Sequence, residues 1–234
     1  MDTNSNQARR VVIGITAHVD AGKTTLAEAM LYRTGRLRKL GRVDHGSAAM
    51  DSHLLERERG ITIFSSQAEL PIGDLEVTLL DTPGHVDFSA EMERTLSVLD
   101  YAILVISGAD GVQAHTRTLW RLLELYRIPT FLFVTKMDFG RCGRGQMMEH
   151  LHHELGEGCV DFTPADRERR MEQLATCRED ALEAYLDGGE VPDALVRQLV
   201  GRRLVFPCWF GSGLKLEGID EFLEGLARYV EPPV

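Results

Sequence analysis

The chain has 234 residues, of which 44% are apolar and 26% charged, a composition typical of a globular protein. No window approaches 18 consecutive apolar residues and the N-terminus is polar, so we expect neither a membrane span nor a signal peptide. Four cysteines without CxxC spacing favour reduced thiols and a cytoplasmic protein. The net charge of −10 excludes nucleic-acid binding through a diffuse basic surface, and no DNA partner is expected.

Short β-branched runs alternate with helical stretches, which predicts βαβ units and a mainly parallel sheet. The connector at residues 71–74 is too short for a crossover helix, so the second and third strands are predicted to form an antiparallel hairpin. The predicted strands are residues 11–16, 61–70, 76–80, 101–107, 130–135 and 205–210. The predicted helices of the alternating region are residues 23–34, 88–99, 114–126, 144–155 and 219–229.

An acidic stretch interrupts the alternation after the fifth strand. Residues 154–193 carry twelve acidic side chains and four arginines, so eight of the ten net negative charges fall there. Helical patterns at 163–186 and 193–203, separated by the turn signal DGGEVP, predict a helical insertion at about 156–203, between the fifth and sixth strands. The predicted fold is therefore α/β: a doubly wound, mostly parallel sheet of six strands with helices on both faces.

The segment AHVDAGKTT, residues 17–25, follows the first strand and opens the first helix. It fits the phosphate-binding loop GxxxxGK[ST], with alanine in the place of the first glycine. Backbone N–H groups of residues 20–24 can bind a β-phosphate, and Lys23 can reach the β- and γ-phosphates. The predicted phosphate-binding residues are Ala17, His18, Val19, Asp20, Ala21, Gly22, Lys23, Thr24 and Thr25.

Two further motifs are placed to complete a phosphate and Mg²⁺ site. In DTPGH, residues 81–85, Asp81 can hold Mg²⁺ through water and the Gly84 N–H can meet a γ-phosphate. RGIT, residues 59–62, ends a polar loop that can order with the γ-phosphate and release after hydrolysis; a loop that merely tolerates charge is the alternative. The predicted Mg²⁺ ligands are Thr24, Thr62 and, through water, Asp81.

TKMD, residues 135–138, closes the fifth strand, and GSGLK, residues 211–215, closes the sixth. Asp138 can accept hydrogen bonds from N1–H and the 2-amino group of guanine, whereas adenine would leave the carboxylate unmatched. The predicted ligands are therefore GTP and GDP with Mg²⁺. The predicted base-binding residues are Thr135, Lys136, Asp138, Ser212, Gly213 and Leu214.

These five motifs, in this order and spacing, resemble the G domain of a translational GTPase over nearly the whole chain. LLERERGITI, LSVLDYAILVISGADGVQAHTRTLW and LGRVDHGS are most similar to the ribosomal protection proteins for tetracycline. Elongation factor G is similar but usually differs around GVQAHT. The resemblance implies GTP hydrolysis stimulated by the ribosome, with ribosomal RNA near its GTPase centre as the partner.

The same resemblance implies the catalytic roles. Val19 and Ile61 would form an apolar gate beside the attacking water, His85 would position that water, and Asp20 would organise the phosphate loop. With Lys23 and Thr62, these residues make up the predicted catalytic set. Two positions depart from the family: Thr135 stands where asparagine is usual and Gly213 where alanine is usual. A threonine offers fewer contacts than asparagine to the base and to the phosphate loop, so weaker nucleotide binding is expected.

Such proteins have several further domains, so the chain is expected to be the N-terminal, monomeric G domain (residues 1–234) of a larger factor. Two alternatives stay open. One is a translocation or release factor of the elongation factor G type. The other is a nucleotide-switched binding module with negligible turnover, although intact DTPGH and RGIT argue against it.

Overall fold

The computed structural model describes residues 9–38, 66–82, 90–139, 142–163 and 167–232. The strands in these ranges are β1 (Arg9–Ala17), β2 (Ser66–Ile72), β3 (Leu75–Asp81), β4 (Tyr101–Ser107), β5 (Thr130–Thr135), β6 (Cys159–Asp161) and β7 (Phe206–Phe210). The helices are α1 (Lys23–Arg33), α2 (Ala90–Ser97), α3 (Ala114–Leu125), α4 (Arg144–Leu155), α5 (Arg167–Ala175), α6 (Glu179–Gly188), α7 (Asp193–Gly201) and α8 (Ile219–Tyr229).

The strands form one sheet in the order β2-β3-β1-β4-β5-β7-β6. Every neighbouring pair is parallel except β2 and β3, which form an antiparallel hairpin. The predicted mainly parallel sheet and its hairpin are confirmed. Because β1, β3, β4, β5 and β7 all run in one direction, their carboxyl ends lie along one edge of the sheet.

The predicted count of six strands is wrong by one, because β6 adds a seventh at the sheet edge. β6 has three residues and pairs in parallel with β7, with Cys159 opposite Phe206. Three residues are too few to show a period of two in the sequence, and the strand exists because β7 already offers a free edge. It lies inside the stretch that was expected to be helical.

The predicted helix at 163–186 is also wrong, since two helices, α5 and α6, occupy its described part. Arg178 between them has an extended backbone, with φ −162° and ψ 148°. The break turns α6 so that Ala181 is buried together with Leu174 of α5. Both helices then contribute to one core.

The core has two layers, one on each face of the sheet. In β5, Phe131 and Phe133 pack with α1, α8 and the helices α5–α7, whereas Leu132 and Val134 pack with α3 and α4. This alternation follows from the side-chain period of two in a strand that is covered on both faces. The predicted doubly wound arrangement is confirmed. None of the helices in the described ranges is long and apolar enough to cross a membrane.

Two polar contacts join the helices α3 and α4. The Arg117 guanidinium bonds Glu154, and the Trp120 indole N–H donates to the Leu155 carbonyl at 3.1 Å. The bond from Arg117 lowers the pKa of Glu154 from 4.5 to about 2. A carboxyl group whose pKa is lower in the folded state stabilises the protein at pH values above its unfolded pKa.

We therefore expect Glu154→Gln to lower the free energy of unfolding at pH 7. The difference from the wild type should shrink as the pH falls from about 4.5 toward 2, because protonation of Glu154 removes the same ion pair. Urea unfolding at a series of pH values measures it. Glu157→Gln is the control, since that side chain is 91% exposed. A difference that stays constant with pH would contradict the assignment.

Candidate functional site

The carboxyl edge of the sheet brings four of the predicted motifs together. β1 ends at Ala17, where the phosphate loop starts, and β3 ends at Asp81. β5 ends at Thr135 and β7 at Phe210, immediately before Gly211 of GSGLK. The described parts of these motifs therefore lie on neighbouring loops, as the sequence predicts.

The phosphate loop turns sharply into α1. Asp20 has φ +61° and Gly22, the residue before the helix, has φ +95°. A side chain at Gly22 would be strained by this backbone and would also meet Thr135, whose Oγ1 lies 3.3 Å from the place of its Cβ. No side chain of the described residues caps the N-terminus of α1, and its first turn has no acidic residue. Its N–H groups and helix dipole therefore favour an anion.

Lys23, the first residue of α1, reaches across to the end of β3. Its Nζ bonds the Asp81 carboxylate and donates to the Thr82 carbonyl at 2.5 Å. The Asp81 side chain is fully buried and the Lys23 side chain is 10% exposed. Thr82 is anchored in turn, because its N–H and hydroxyl donate to the Ile15 carbonyl at 3.1 and 2.9 Å. The ammonium is thus held where phosphates would meet the strand ends.

Oxygen ligands for a divalent cation are present in the same place. Thr24 follows Lys23 on α1, and Asp81 supplies a carboxylate; hydroxyl and carboxylate oxygens are what Mg²⁺ takes. Within the described ranges, no three His, Cys, Asp or Glu side chains cluster as a metal site. A cation here would take its other ligands from water and phosphate, as Mg²⁺ commonly does.

Two hydrogen bonds join TKMD, the predicted base-binding loop, to the predicted phosphate loop. The Thr135 hydroxyl donates to the Ala21 carbonyl at 2.5 Å, and the Lys136 Nζ donates to the Asp20 carbonyl at the same distance. Thr135 is 3% exposed. The threonine therefore makes the link to the phosphate loop for which asparagine was expected to be better suited.

We expect Thr135→Val to weaken GDP binding about fivefold, the effect of losing one hydrogen bond of about 1 kcal/mol. Valine keeps the shape of the side chain but leaves the Ala21 carbonyl without this donor. Thr135→Ser, which keeps the hydroxyl, is the matched control. Calorimetry with GDP at fixed Mg²⁺ measures both, and equal affinities for the two variants would show that the link has no part in binding.

Asp138 of TKMD is the predicted guanine acceptor, and its side chain is largely covered although the residue as a whole is exposed. Its side chain is 8% exposed, and Lys215 Nζ lies 3.0 Å from its Oδ2. Burial acts to raise the pKa of Asp138, but bonds from Lys215, from its own backbone N–H and from the Ser212 side chain outweigh burial and lower it. The carboxylate is therefore ionised at neutral pH and able to accept.

GSGLK forms a tight turn against α1. The N–H of Ser212 donates to the Glu217 carbonyl at 3.0 Å, and the Glu217 N–H donates back to the Ser212 carbonyl at the same distance. A Cβ at Gly213 would lie 3.2 Å from the carbonyl of Thr25 and 3.3 Å from the Leu26 nitrogen. Glycine thus allows a close approach to α1 that alanine would accommodate only by a small shift.

Two residues of the site were not predicted. Lys215 ends the GSGLK motif but has no predicted role, because it meets Asp138 only when β5 and β7 are neighbours in the sheet. His115, at the start of α3, has its ring 5.7 Å from that of His18 in the phosphate loop. No sequence signal joins these two histidines, because they are far apart in the chain.

The remaining predicted residues fall into two groups. Val19 is partly exposed, Asp20 is exposed and Leu214 is 42% exposed, all at the carboxyl edge. The other four lie outside the described residues: Ile61, Thr62, Gly84 and His85.

The doubly wound sheet and the loop that opens α1 indicate the class of the protein. It is an α/β domain of the P-loop class, in which nucleotides bind at the carboxyl ends of the strands. Residues 8–232 match the family model of the elongation factor Tu GTP binding domain, so the chain belongs to this family of GTP-binding domains.

Three curated relatives are similar to this chain in sequence. The oxytetracycline resistance protein of Streptomyces rimosus is 41% identical over 92% of the chain, and TetO of Campylobacter jejuni is 35% identical over 92%. Elongation factor G of Rhodopseudomonas palustris is 33% identical over 94%. The chain spans only 36%, 36% and 39% of the lengths of these three relatives, in that order.

A crystal structure of a protein from Thermus thermophilus is similar to the fold described above. It has a TM-score of 0.85 and 28% identity, and the match covers 97% of this chain and 41% of the other.

Proposed function

We propose that this domain binds and hydrolyses GTP in a ribosome-dependent factor of the tetracycline ribosomal protection type. The observation that carries the proposal is the linked pair of sites at the sheet edge. Lys23 is held at the phosphate end beside Asp81, and Asp138 at the base end. Thr135 and Lys136 bond the two loops to each other. A guanosine nucleotide lying across the strand ends would engage both sites at once.

The phosphates would lie at the N-terminus of α1, within reach of Lys23. Thr24, Thr62 and, through water, Asp81 would hold Mg²⁺, which neutralises charge on the β- and γ-phosphate oxygens when bound. The ligand phosphates would then replace Asp81 as the anionic partner of the Lys23 ammonium. Asp138 would accept the N1–H and 2-amino hydrogens of guanine.

Hydrolysis transfers the γ-phosphoryl group to water. Water attacks the γ-phosphorus, the bond to the β–γ bridging oxygen breaks, and GDP and phosphate result. By resemblance, His85 would position the water, Val19 and Ile61 would gate its access, and Asp20 would support the phosphate loop. These four roles are proposals that rest on the resemblance.

The names of the relatives support the cellular role. Two of the three are tetracycline resistance proteins, and the S. rimosus relative is more similar than elongation factor G, at 41% against 33% identity. We infer that hydrolysis releases the parent factor from a ribosome cleared of tetracycline. A translocation or release factor of the elongation factor G type is the competing assignment.

Single-turnover phosphate release, with and without ribosomes, tests the hydrolysis proposal. GTPases without their activating partner are roughly 10³ to 10⁵ times slower than with it, so the chain alone should bind GTP and hydrolyse it slowly. His85→Ala should hardly alter this basal rate, because by resemblance His85 would position the water only on the ribosome. A fast basal rate that collapses in His85→Ala would contradict ribosomal gating, and absence of any GTP binding would contradict the function itself.

A further inference from the structure

We propose that Lys215 is a positioning residue of the base site: as the counter-ion of Asp138, it holds the carboxylate in place and ionised for guanine. The inference rests on the proposed function, because it assumes that Asp138 accepts the base. It gives a role to the charged residue of GSGLK, which the motif itself leaves unassigned.

The two side chains of the pair differ in exposure to solvent, and the difference suits this role. Lys215 Nζ is 3.0 Å from Asp138 Oδ2, and the lysine side chain is 53% exposed while the aspartate side chain is 8% exposed. Lysine therefore loses little hydration by pairing, whereas the carboxylate, which has lost most of its water, gains a cation. A nearly buried carboxylate is costly without such compensation.

Lys215 is fixed in position by its own turn. Its backbone N–H lies 3.4 Å from the Ser212 hydroxyl, and Ser212 and Glu217 close the turn with paired backbone bonds. This turn follows β7, whereas Asp138 follows β5, the neighbouring strand. The ion pair thus links the two halves of the base site, as do the Met137 N–H, which donates to the Gly211 carbonyl at 3.4 Å, and the bond from the Ser212 side chain to Asp138.

The lysine and a guanine base can bind the carboxylate at the same time. An ionised carboxylate has about four acceptor positions on two oxygens, and Lys215, the Ser212 side chain and the Asp138 backbone N–H already donate to it. Guanine would use one position on each oxygen, so it would replace one of the two neutral donors. Lys215 needs one further position on Oδ2. Placing the base over Asp138 removes water that still reaches the carboxylate, and the lysine charge offsets this loss. We therefore expect Lys215 to assist base binding and not to compete with it.

The charged groups around the pair also support a role for Lys215 in keeping Asp138 ionised. The Asp138 bond, with a smaller contribution from Glu217, raises the pKa of Lys215, so this cation persists at every pH at which the protein would be studied. The groups that act on Asp138 are Lys215, the Ser212 side chain and its own backbone N–H. Lys215 is the only charged group among these three. Its removal should therefore raise the pH at which Asp138 takes up a proton.

GDP binding by Lys215→Met, which removes the charge but keeps the length, tests the inference. At pH 7 we expect a loss of up to about fivefold, the size typical of one ion pair that includes a partly exposed side chain. As the pH is lowered from 8 to 4, the affinity of this variant should begin to fall at a higher pH than that of the wild type. Lys215→Arg, which keeps the charge, should retain the wild-type profile.

Titration of the GDP phosphates affects the wild type, Lys215→Met and Lys215→Arg equally. Only a difference between their pH profiles of GDP affinity therefore reports on Asp138. Circular dichroism at each pH confirms that the variants are folded, and a purely structural lysine would leave the pH profile unmoved. Unchanged affinity and pH profile in Lys215→Met, or tighter binding, would overturn the inference while the wild type still bound GDP. A wild type that did not bind GDP would instead overturn the proposed function.

Discussion

Replacing Lys23 with alanine is expected to abolish measurable GTP and GDP binding and to lower the free energy of unfolding of the ligand-free protein by about 3–5 kcal/mol. The loss of binding follows from the phosphate contact. The loss of stability follows from the fully buried Asp81 carboxylate, which would no longer have the ammonium that bonds it in this structure. The Thr82 carbonyl would lose the same donor.

The two effects can be separated by a second change. In Lys23→Met with Asp81→Asn, neither a charged carboxylate nor its cation is left at the strand end, so most of the lost stability should return while nucleotide binding stays absent. Urea unfolding and calorimetry measure the two properties in the same samples. If Lys23→Ala unfolded like the wild type, the ion pair would not be the stabilising contact that its burial indicates.

The second large effect is expected at Asp138. Asp138→Asn should weaken GDP binding by on the order of 3 kcal/mol, roughly a hundredfold, because the amide presents a donor where guanine also presents one. Xanthine has a carbonyl at the place of the guanine 2-amino group, so the same variant should gain affinity for XDP. The change also removes the charge that Lys215 neutralises.

A matched control uses another aspartate that is paired with a cation. Asp180 lies in the first turn of α6, outside the site, and accepts hydrogen bonds from Arg178, the residue before that helix. Its side chain is 51% exposed. Asp180→Asn should leave GDP and XDP affinities unchanged. Competition binding with the two nucleotides measures the preference directly. An Asp138→Asn variant with the wild-type preference for GDP would show that this carboxylate does not read the base.

The sequence predicts best those features that depend on near neighbours along the chain. The phosphate loop opens α1 as predicted, and α4 and α8 have their predicted bounds, Arg144–Leu155 and Ile219–Tyr229. Hydrophobic periodicity and glycine placement are local signals, so they are sufficient to predict where these helices begin and end. The strand β6 is missed because three residues show no period, and its pairing depends on β7.

The contacts that complete the site depend on distant parts of the chain. The hydrogen bond from Thr135 to Ala21 joins residues 114 positions apart, and through it the threonine makes a link between the two loops that asparagine usually makes in the family. The pair of Lys215 with Asp138 likewise requires β5 and β7 to be neighbours in the sheet. Sequence motifs name the participants in such a site, but strand order decides which of them meet.

Calorimetric titration of the wild-type chain with GDP and with ADP, at fixed Mg²⁺ and neutral pH, tests the central claim most directly. If Lys23 receives the phosphates and Asp138 the base, the two ligands share the phosphate contacts and differ at the base. GDP should then bind at least about a hundredfold more tightly than ADP, because adenine leaves the Asp138 carboxylate unmatched. Equal affinities for GDP and ADP, or no binding of either, would contradict the account.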